Sequence, residues 1–443
     1  MVSGGLLRDP GRILHDAEFQ RSVSINVGLM LIILILSAFY HFYLKPPKSK
    51  IEKEGVEDED IAEIDSLIVY PVKSGRAIEL DDAMVSRKGF KFDRRWAVIA
   101  KKGLKRLNLK DEPKITHIIP SFDYDNNMLR LRISKESKVQ LPDIAVPLEI
   151  DEKTLRTWPH VENISFYGDF ADGRESQLAL GEWEWKGTPS EWVSELVGYP
   201  VHFLQFDPIS SKRIAFPIFK PPHDLSRWDD ERQKQLNSVT GVEFQDLYPF
   251  LVATRESLAE VNEHVQKAIK EEKFRYDKVF WSRSDRDISL PIQRFRPNIV
   301  LRSRKVQDGK DDIAKYAAFS EDSWETIWVK SEKGTLPIHL VARCERCLLT
   351  TVDPETAHRD PNVPLAILRE TRARISQPGI KSRPSPCFGM YSIPEEPANG
   401  FLRIKVGDPV RVRWRPYVLD DEVEAGRRTI RQVAPVSQHK NIK

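Results

Sequence analysis

The sequence predicts a mainly β chain with some α-helix (α+β), arranged as two domains behind one apolar N-terminal segment. Three observations carry this. From residue 64 onwards, short apolar runs alternate with polar residues and are punctuated by Gly, Pro and Asp-Asn steps, the pattern of strands in a barrel or sandwich. Two stretches, 188–198 and 255–269, have helical spacing instead. The 443 residues are ample for two cores, at about 100–200 residues per domain.

Composition excludes several classes. The 69 basic and 66 acidic residues leave a net charge of +3, so no global basic excess points to nucleic acid. Three cysteines cannot build a disulfide framework and suit a reducing compartment. Ten Trp and 30 Pro fit a loop-rich β protein better than a helical bundle.

Residues 1–22 form a tail in which Arg8, Arg12 and Arg21 face Asp9, Asp16 and Glu18. It lacks the acid-poor character of a mitochondrial presequence. Residues 23–44 (VSINVGLMLIILILSAFYHFYL) contain no Lys, Arg, Asp or Glu. About 20 such residues cross a bilayer as a helix, and a signal-peptide core is shorter, about 7–15. With Phe39, Tyr40, Phe42 and Tyr43 as an interfacial belt, the segment predicts an uncleaved single-pass anchor. Lys45, Lys48, Lys50 and Lys53 place the C-terminal bulk in the cytosol.

Residues 45–62 read as an acidic linker, extended by charge repulsion. Residues 63–180 form the first β domain. Residues 181–230 hold a helix and a basic, Pro-rich surface loop. In that helix Thr188-Pro189-Ser190-Glu191 is a capping box with Pro at the first turn. Trp192, Val193, Leu196 and Val197 make its apolar face, and Gly198 stops it. It is expected to join the two domains. Residues 231–416 form the second domain. There Leu258, Val261, Val265 and Ile269 share one helix face, and 270–292 reads as a loop insertion. Residues 417–443 are a polar tail.

The chemistry concentrates at residues 340–360, LVARCERCLLTTVDPETAHRD, with two of the three cysteines. Cys344 and Cys347 sit between a β-like run and a second such run, LLTTV, which Asp353-Pro354 turns away. Arg343 and Arg346 flank the thiols, and cations favour the thiolate that attacks or binds metal. Three other readings stand beside this. The cysteines can be small buried hydrophobes. With His339 and His358 they can complete a zinc site. They can also form a redox pair, which calls for the motif to open a helix.

The run RCERCLLTTVDPETAHRD, followed by PLAILRE, CFGMY and VGDPV, closely resembles the core of the MOSC family, the domain at the C-terminus of molybdenum-cofactor sulfurases. SLIVYPVKSGRAIEL and GFKFDRRWAVIA resemble that family's N-terminal β-barrel domain. The pairing behind an apolar anchor is similar to the family's amidoxime-reducing members. The resemblance spans residues 63–415. It implies two β-barrel domains, molybdenum–molybdopterin as cofactor, and two-electron reduction of small N-hydroxylated substrates. Electrons would come from cytochrome b5 and NADH–cytochrome b5 reductase, because the chain has no G-x-G-x-x-G dinucleotide motif. It also implies an outer mitochondrial membrane location, with endoplasmic reticulum as the alternative. The other activity in the family is cofactor or sulfur carriage without reductase turnover; in the sulfurases a pyridoxal-phosphate domain mobilises the sulfur.

By resemblance, Cys347 is the thiolate ligand of molybdenum. Cys344, three residues away on a strand and turn of period two, is expected to point to the opposite face as a small core residue. Asp353 is a proton donor or an orienting group beside the metal, or equally an Asp-Pro turn former. Lys73, Ser74, Arg94, Arg296 and Arg346 bind the cofactor, Arg forks suiting its phosphate. Arg94 is expected on the strand that Trp96 and Val98 continue. Two departures stand out. Asp246-Leu247-Tyr248-Pro249 replaces small hydroxyl residues, and Glu345 stands where a Ser is expected.

Overall fold

The strand Glu59–Val69 organises the whole fold. A computed structural model describes Met30, residues 59–414 except 167–168, 212, 214–241, 283–288, 305, 309–310, 314 and 377–383, and the pairs 423–424 and 427–428. The predicted anchor at 23–44 lies outside the described residues apart from Met30. Among the described residues, no helix is long and apolar enough to cross a membrane.

Seven strands close the larger sheet on itself. They are β1 (Glu59–Val69), β2 (Phe250–Thr254), β3 (Ile299–Ser303), β4 (Trp324–Ser331), β5 (Gly334–Glu345), β6 (Ser385–Pro394) and β7 (Pro409–Trp414). The order around the ring is β2-β3-β1-β7-β4-β5-β6, and β6 pairs back to β2. All pairs are antiparallel except β2–β3. Along β1 the two-residue period sorts side chains into two cores. Leu67 and Val69 fill the barrel, while Ile68 and the following Tyr70 face a second core under the helix Arg255–Lys270.

β1 corrects the expected linker. It begins inside 45–62 and pairs with strands of the second domain, so the domains are not contiguous in sequence. The acidic residues that read as a solvated spacer are ion-paired: Asp60 with Lys330, and Glu63 with Arg302. Beside them Ile61, Ala62 and Ile64 are buried.

The first domain holds a smaller closed barrel of His160–Ser165, Phe170–Glu175, Val201–Phe206, Trp96–Ala100 and Lys105–Arg106. In the Trp96–Ala100 strand, Trp96 and Val98 enter one core and Ala97 and Ile99 another. The helix Pro189–Val197 has the predicted capping box, with Glu191 N donating to Thr188 Oγ1 at 3.2 Å, and ends at Gly198 in the left-handed region. Its apolar face packs into the first domain's own core, and Trp192 Nε1 donates to Pro142 O at 2.8 Å. It covers that domain rather than joining two.

The 270–292 stretch is more than a loop. Its described part contains the helix Lys278–Trp281, whose Phe280 and Trp281 are buried in the core beneath the helix Arg255–Lys270. The dense charges of this stretch conceal that two-residue apolar anchor.

A buried carboxyl fastens the same helix. Glu321 is 0% exposed and accepts from Ser257 Oγ at 2.7 Å and from Thr254 Oγ1 at 3.2 Å, at the helix N-terminus. Burial, and then neighbouring Asp322, push its pKa up to about 7. A carboxyl that holds its proton more tightly when folded costs stability as pH rises from the unfolded value towards 7. Glu321→Gln should therefore raise Tm at pH 8, by an equivalent of roughly 3 kcal/mol at most. The gain should shrink towards zero near pH 4.5. A shift that is the same at both pH values would show that Glu321 does not titrate in this window.

Candidate functional site

Three turns converge where β1 ends, and each presents a predicted site residue from a left-handed backbone. Ser74 has φ 70°, Arg94 φ 51° and Arg296 φ 56°. Such a conformation in a residue with a Cβ costs roughly 1–3 kcal/mol and persists only where surrounding bonds enforce it. Those bonds are present. Gly75 N donates to Val72 O at 2.9 Å, Arg94 N to Tyr70 O at 2.8 Å, and Arg296 N to Gln293 O at 3.1 Å. Gly75 itself is required, because a Cβ there would meet Val72 Cβ at 2.9 Å. Arg94 thus lies in the turn before the Trp96–Ala100 strand, not on it.

The turns line one cleft. Lys73, Ser74, Arg94, Arg296 and Arg346 all face it, as does Asp246. Lys73 Nζ donates to Phe244 O at 2.9 Å and pairs with Asp246. Burial pushes Lys73 down to about 8 despite that carboxylate. Burial also acts to raise the Asp246 pKa, but Lys73 outweighs it and holds the group below the usual carboxylate range. Arg94 Nη1 grips Asp93 at 2.7 and 2.6 Å. Arg296 has no such carboxylate. Its Nη1 donates to Gly75 O at 2.9 Å, and its buried Nη2 has no hydrogen-bond partner among the described residues. Burial, and then Arg94, push its pKa down to about 10.

The cysteine stretch departs from expectation in two ways. LLTT is a 3-10 turn, Leu348–Thr351, with Cys347 at its N-terminus. Thr350 Oγ1 and Thr351 Oγ1 donate to Cys347 O (3.0 Å) and Leu348 O (2.8 Å), and these local bonds override the β propensity of threonine. Because β5 stops at Glu345, the two-residue period does not relate the two thiols. Cys344 is buried at 3% exposure, but it lines the cleft, with Arg346 Nη1 at 2.7 Å from Sγ. Cys347 is exposed, and Arg346 and Leu349 on either side of it line the cleft. Arg346 Nη2 donates to Phe295 O at 2.8 Å, and its buried Nε has no partner among the described residues.

Among the described residues, no group of three or more His, Cys, Asp or Glu could hold a metal ion. His339 instead contacts Thr326 and Glu395, and His358 stacks on Phe280.

Two domain families match this chain. The MOSC N-terminal beta barrel domain matches residues 61–176, and the MOSC domain matches residues 240–411. The chain belongs to the MOSC family. Among curated proteins it is similar to the human protein named mitochondrial amidoxime-reducing component 1, 26% identical over 356 residues. That alignment covers 80% of this chain and 83% of that protein. The Bos taurus mitochondrial amidoxime reducing component 2 is 25% identical over 358 residues, with the same coverage. An Aspergillus niger molybdenum cofactor sulfurase is 24% identical over 327 residues, which is 70% of this chain and 36% of that protein.

In this MOSC chain both domains clamp the loop beyond Cys347. Thr116 Oγ1 donates to Pro354 O at 2.8 Å, and Arg76 Nη2 to Glu355 O at 2.7 Å. Arg359 Nη2 reaches back to Leu109 O at 3.2 Å. On the other side Trp281 Nε1 donates to Asp360 Oδ2 at 2.8 Å, so the 270–292 stretch braces the loop as well.

Asp353 is part of this scaffold rather than the cleft lining. Its Oδ1 accepts from Glu355 N (3.1 Å), Thr356 N (2.9 Å) and Thr356 Oγ1 (2.9 Å), and its Oδ2 from buried Arg294 at 3.0 Å. Burial works against the charge, but Arg294 and the turn donors hold the carboxyl below its usual range. The geometry carries the turn-forming role.

Sequence reasoning missed three neighbours of the site. Tyr391 lines the cleft beside Cys344. Tyr70 lies under Arg94 and Arg296. Arg213, assigned to a surface loop, is 3% exposed and donates to Gln245 O at 2.9 Å.

Removing the Asp353 charge takes a carboxylate from buried Arg294. Asp353→Ala should therefore cost about 3–5 kcal/mol in denaturant melts. Asp353→Asn should leave the pH dependence of turnover unmoved. If Asp353→Asn shifts the acid limb of that profile while stability holds, the carboxyl takes part in proton transfer.

Proposed function

We propose that this MOSC protein holds molybdenum–molybdopterin in the cleft and reduces small N-hydroxylated compounds. The net change converts N–OH to N–H and releases water, consuming two electrons and two protons. The observation that carries the reading is the donor set. Lys73, Arg94, Arg296 and Arg346 face one cleft with Asp93 and Asp246 as counter-charges, and two buried guanidinium nitrogens there have no partner among the described residues. Orphaned charged donors of this kind fit a phosphate and the polar edge of a pterin. When bound, the cofactor supplies a thiophilic redox metal that passes an electron pair.

The chain's own residues do the rest. Arg296, Arg94 and the Ser74 turn hold the anionic tail. Cys347, exposed between two cleft-lining residues, is the proposed thiolate ligand, and soft sulfur suits such a metal. Arg346, fixed by Cys344 Sγ and Phe295 O, keeps its Nε for the bound group. Asp246 holds Lys73 and must move or share that lysine when an anion arrives. Cytochrome b5 and its NADH-dependent reductase are the proposed electron donors. The human and bovine relatives are named mitochondrial proteins, which supports a mitochondrial location; the outer membrane is the proposed compartment. The Aspergillus relative supports a second reading, cofactor or sulfur carriage without turnover.

Molybdenum and pterin content of the purified chain, with benzamidoxime turnover in a cytochrome b5 system, decides between these. Near-stoichiometric metal with turnover is expected. Pterin without turnover supports the carrier. Cys347→Ala should abolish activity and metal binding. Cys344→Ala, which removes a buried partner of Arg346 and Tyr391, should keep the metal and most of the turnover. Equal loss in both variants, at intact fold, would assign the site to the cysteine pair instead.

A further inference from the structure

Tyr70 is 0% exposed, and its ring carries two cations. The guanidinium carbon of Arg94 lies 4.3 Å from the ring centroid, and that of Arg296 lies 4.1 Å from it. Two guanidinium groups gathered around one ring repel each other. The negative face of an aromatic ring offsets part of that repulsion, and does so best away from solvent. The backbone of Tyr70 is tied into the same turns: Tyr70 N donates to Asp93 Oδ1 at 2.9 Å, and Tyr70 O accepts from Arg94 N. Arg94 Nη2 in turn donates to Arg296 O at 3.1 Å. The phenol hydroxyl is buried with no hydrogen-bond partner among the described residues. The ring, rather than the hydroxyl, is therefore the working part.

We infer that Tyr70 is a positioning residue for an anion site, a shared aromatic platform that keeps Arg94 and Arg296 together so that both can grip one phosphate-type dianion. The inference rests on the cofactor-site reading of the cleft and adds to it a residue that touches neither the anion nor the metal. Without the ring, the two cations separate into whatever contacts each can find, and the anion meets one of them at a time. Charge alone would not show this role, because Tyr70 is neutral and does not line the cleft.

The test uses the full chain freed of cofactor, with inorganic phosphate as the probe in titration calorimetry. Tyr70→Phe should bind phosphate within about twofold of wild type, since the lost hydroxyl has no partner. Tyr70→Leu should weaken binding about tenfold or more. Because position 70 is fully buried, Leu can also loosen the fold. A graded series avoids that difficulty: fluorinated phenylalanines incorporated at position 70 keep the shape of Phe and withdraw charge from the ring face. Phosphate affinity should fall stepwise with fluorination while Tm stays level. A flat series overturns the inference, and so does Tyr70→Phe losing as much as Tyr70→Leu. A wild-type chain that does not bind phosphate overturns it too. Metal and pterin content is measured separately, so a chain that lacks pterin but shows the graded phosphate series would refute the cofactor assignment and leave the Tyr70 role standing.

Discussion

Positive charge held out of water at the end of β1 is the constraint on which the rest of the molecule turns. Two guanidinium groups share the Tyr70 ring, Lys73 is buried nearby, and among the described residues Asp93 and Asp246 stand against them. Such an arrangement is unfavourable in isolation, because desolvation and mutual repulsion both oppose it. It survives because three turns are locked by backbone bonds to strands that are themselves buried on both faces. The barrels act as a rigid frame whose stability carries a locally costly, pre-formed anion seat.

That frame explains why β1 is shared. A strand at residues 59–69 that pairs with residues 299–303 and 409–412 forces distant parts of the sequence to assemble around one point. Lys73, Arg94 and Arg296, far apart in sequence, are thereby brought to one cleft. The loop after Cys347 is held the same way, by Thr116 and Arg76 from the first domain and by Trp281 from the second. Each domain alone would leave that loop clamped on one side.

Much of this was legible in the residues. Period-two alternation and the Thr188 capping box survived intact because they depend on local chemistry and on burial next door. What failed has physical reasons. The charged start of β1 looked like a linker because its acids pair with Lys330 and Arg302, which lie hundreds of residues away. LLTT looked like a strand because threonine propensity carries no information about hydroxyls bonding back to the chain. The five cationic and hydroxyl residues proposed from the motif all line one cleft, whereas Asp353 went to the scaffold. Tyr70 was in view within the YPVKSG motif, but nothing in a sequence tells that two distant arginines will lie over its ring.

The central claim is that Arg296 is a cation short of a counter-ion until an anion binds. The most direct measurement compares thermal stability of Arg296→Met with wild type in the cofactor-free and the cofactor-loaded chain. The effect should change sign. Freed of cofactor, the variant should melt higher, because a desolvated charge repelled by Arg94 has been removed. In cofactor-loaded preparations it should melt lower and retain less cofactor, because the anion has lost its grip. If Arg296→Met lowers stability equally in both states, Arg296 is already satisfied by the protein, and the account of the cleft as a seat waiting for an anion is contradicted.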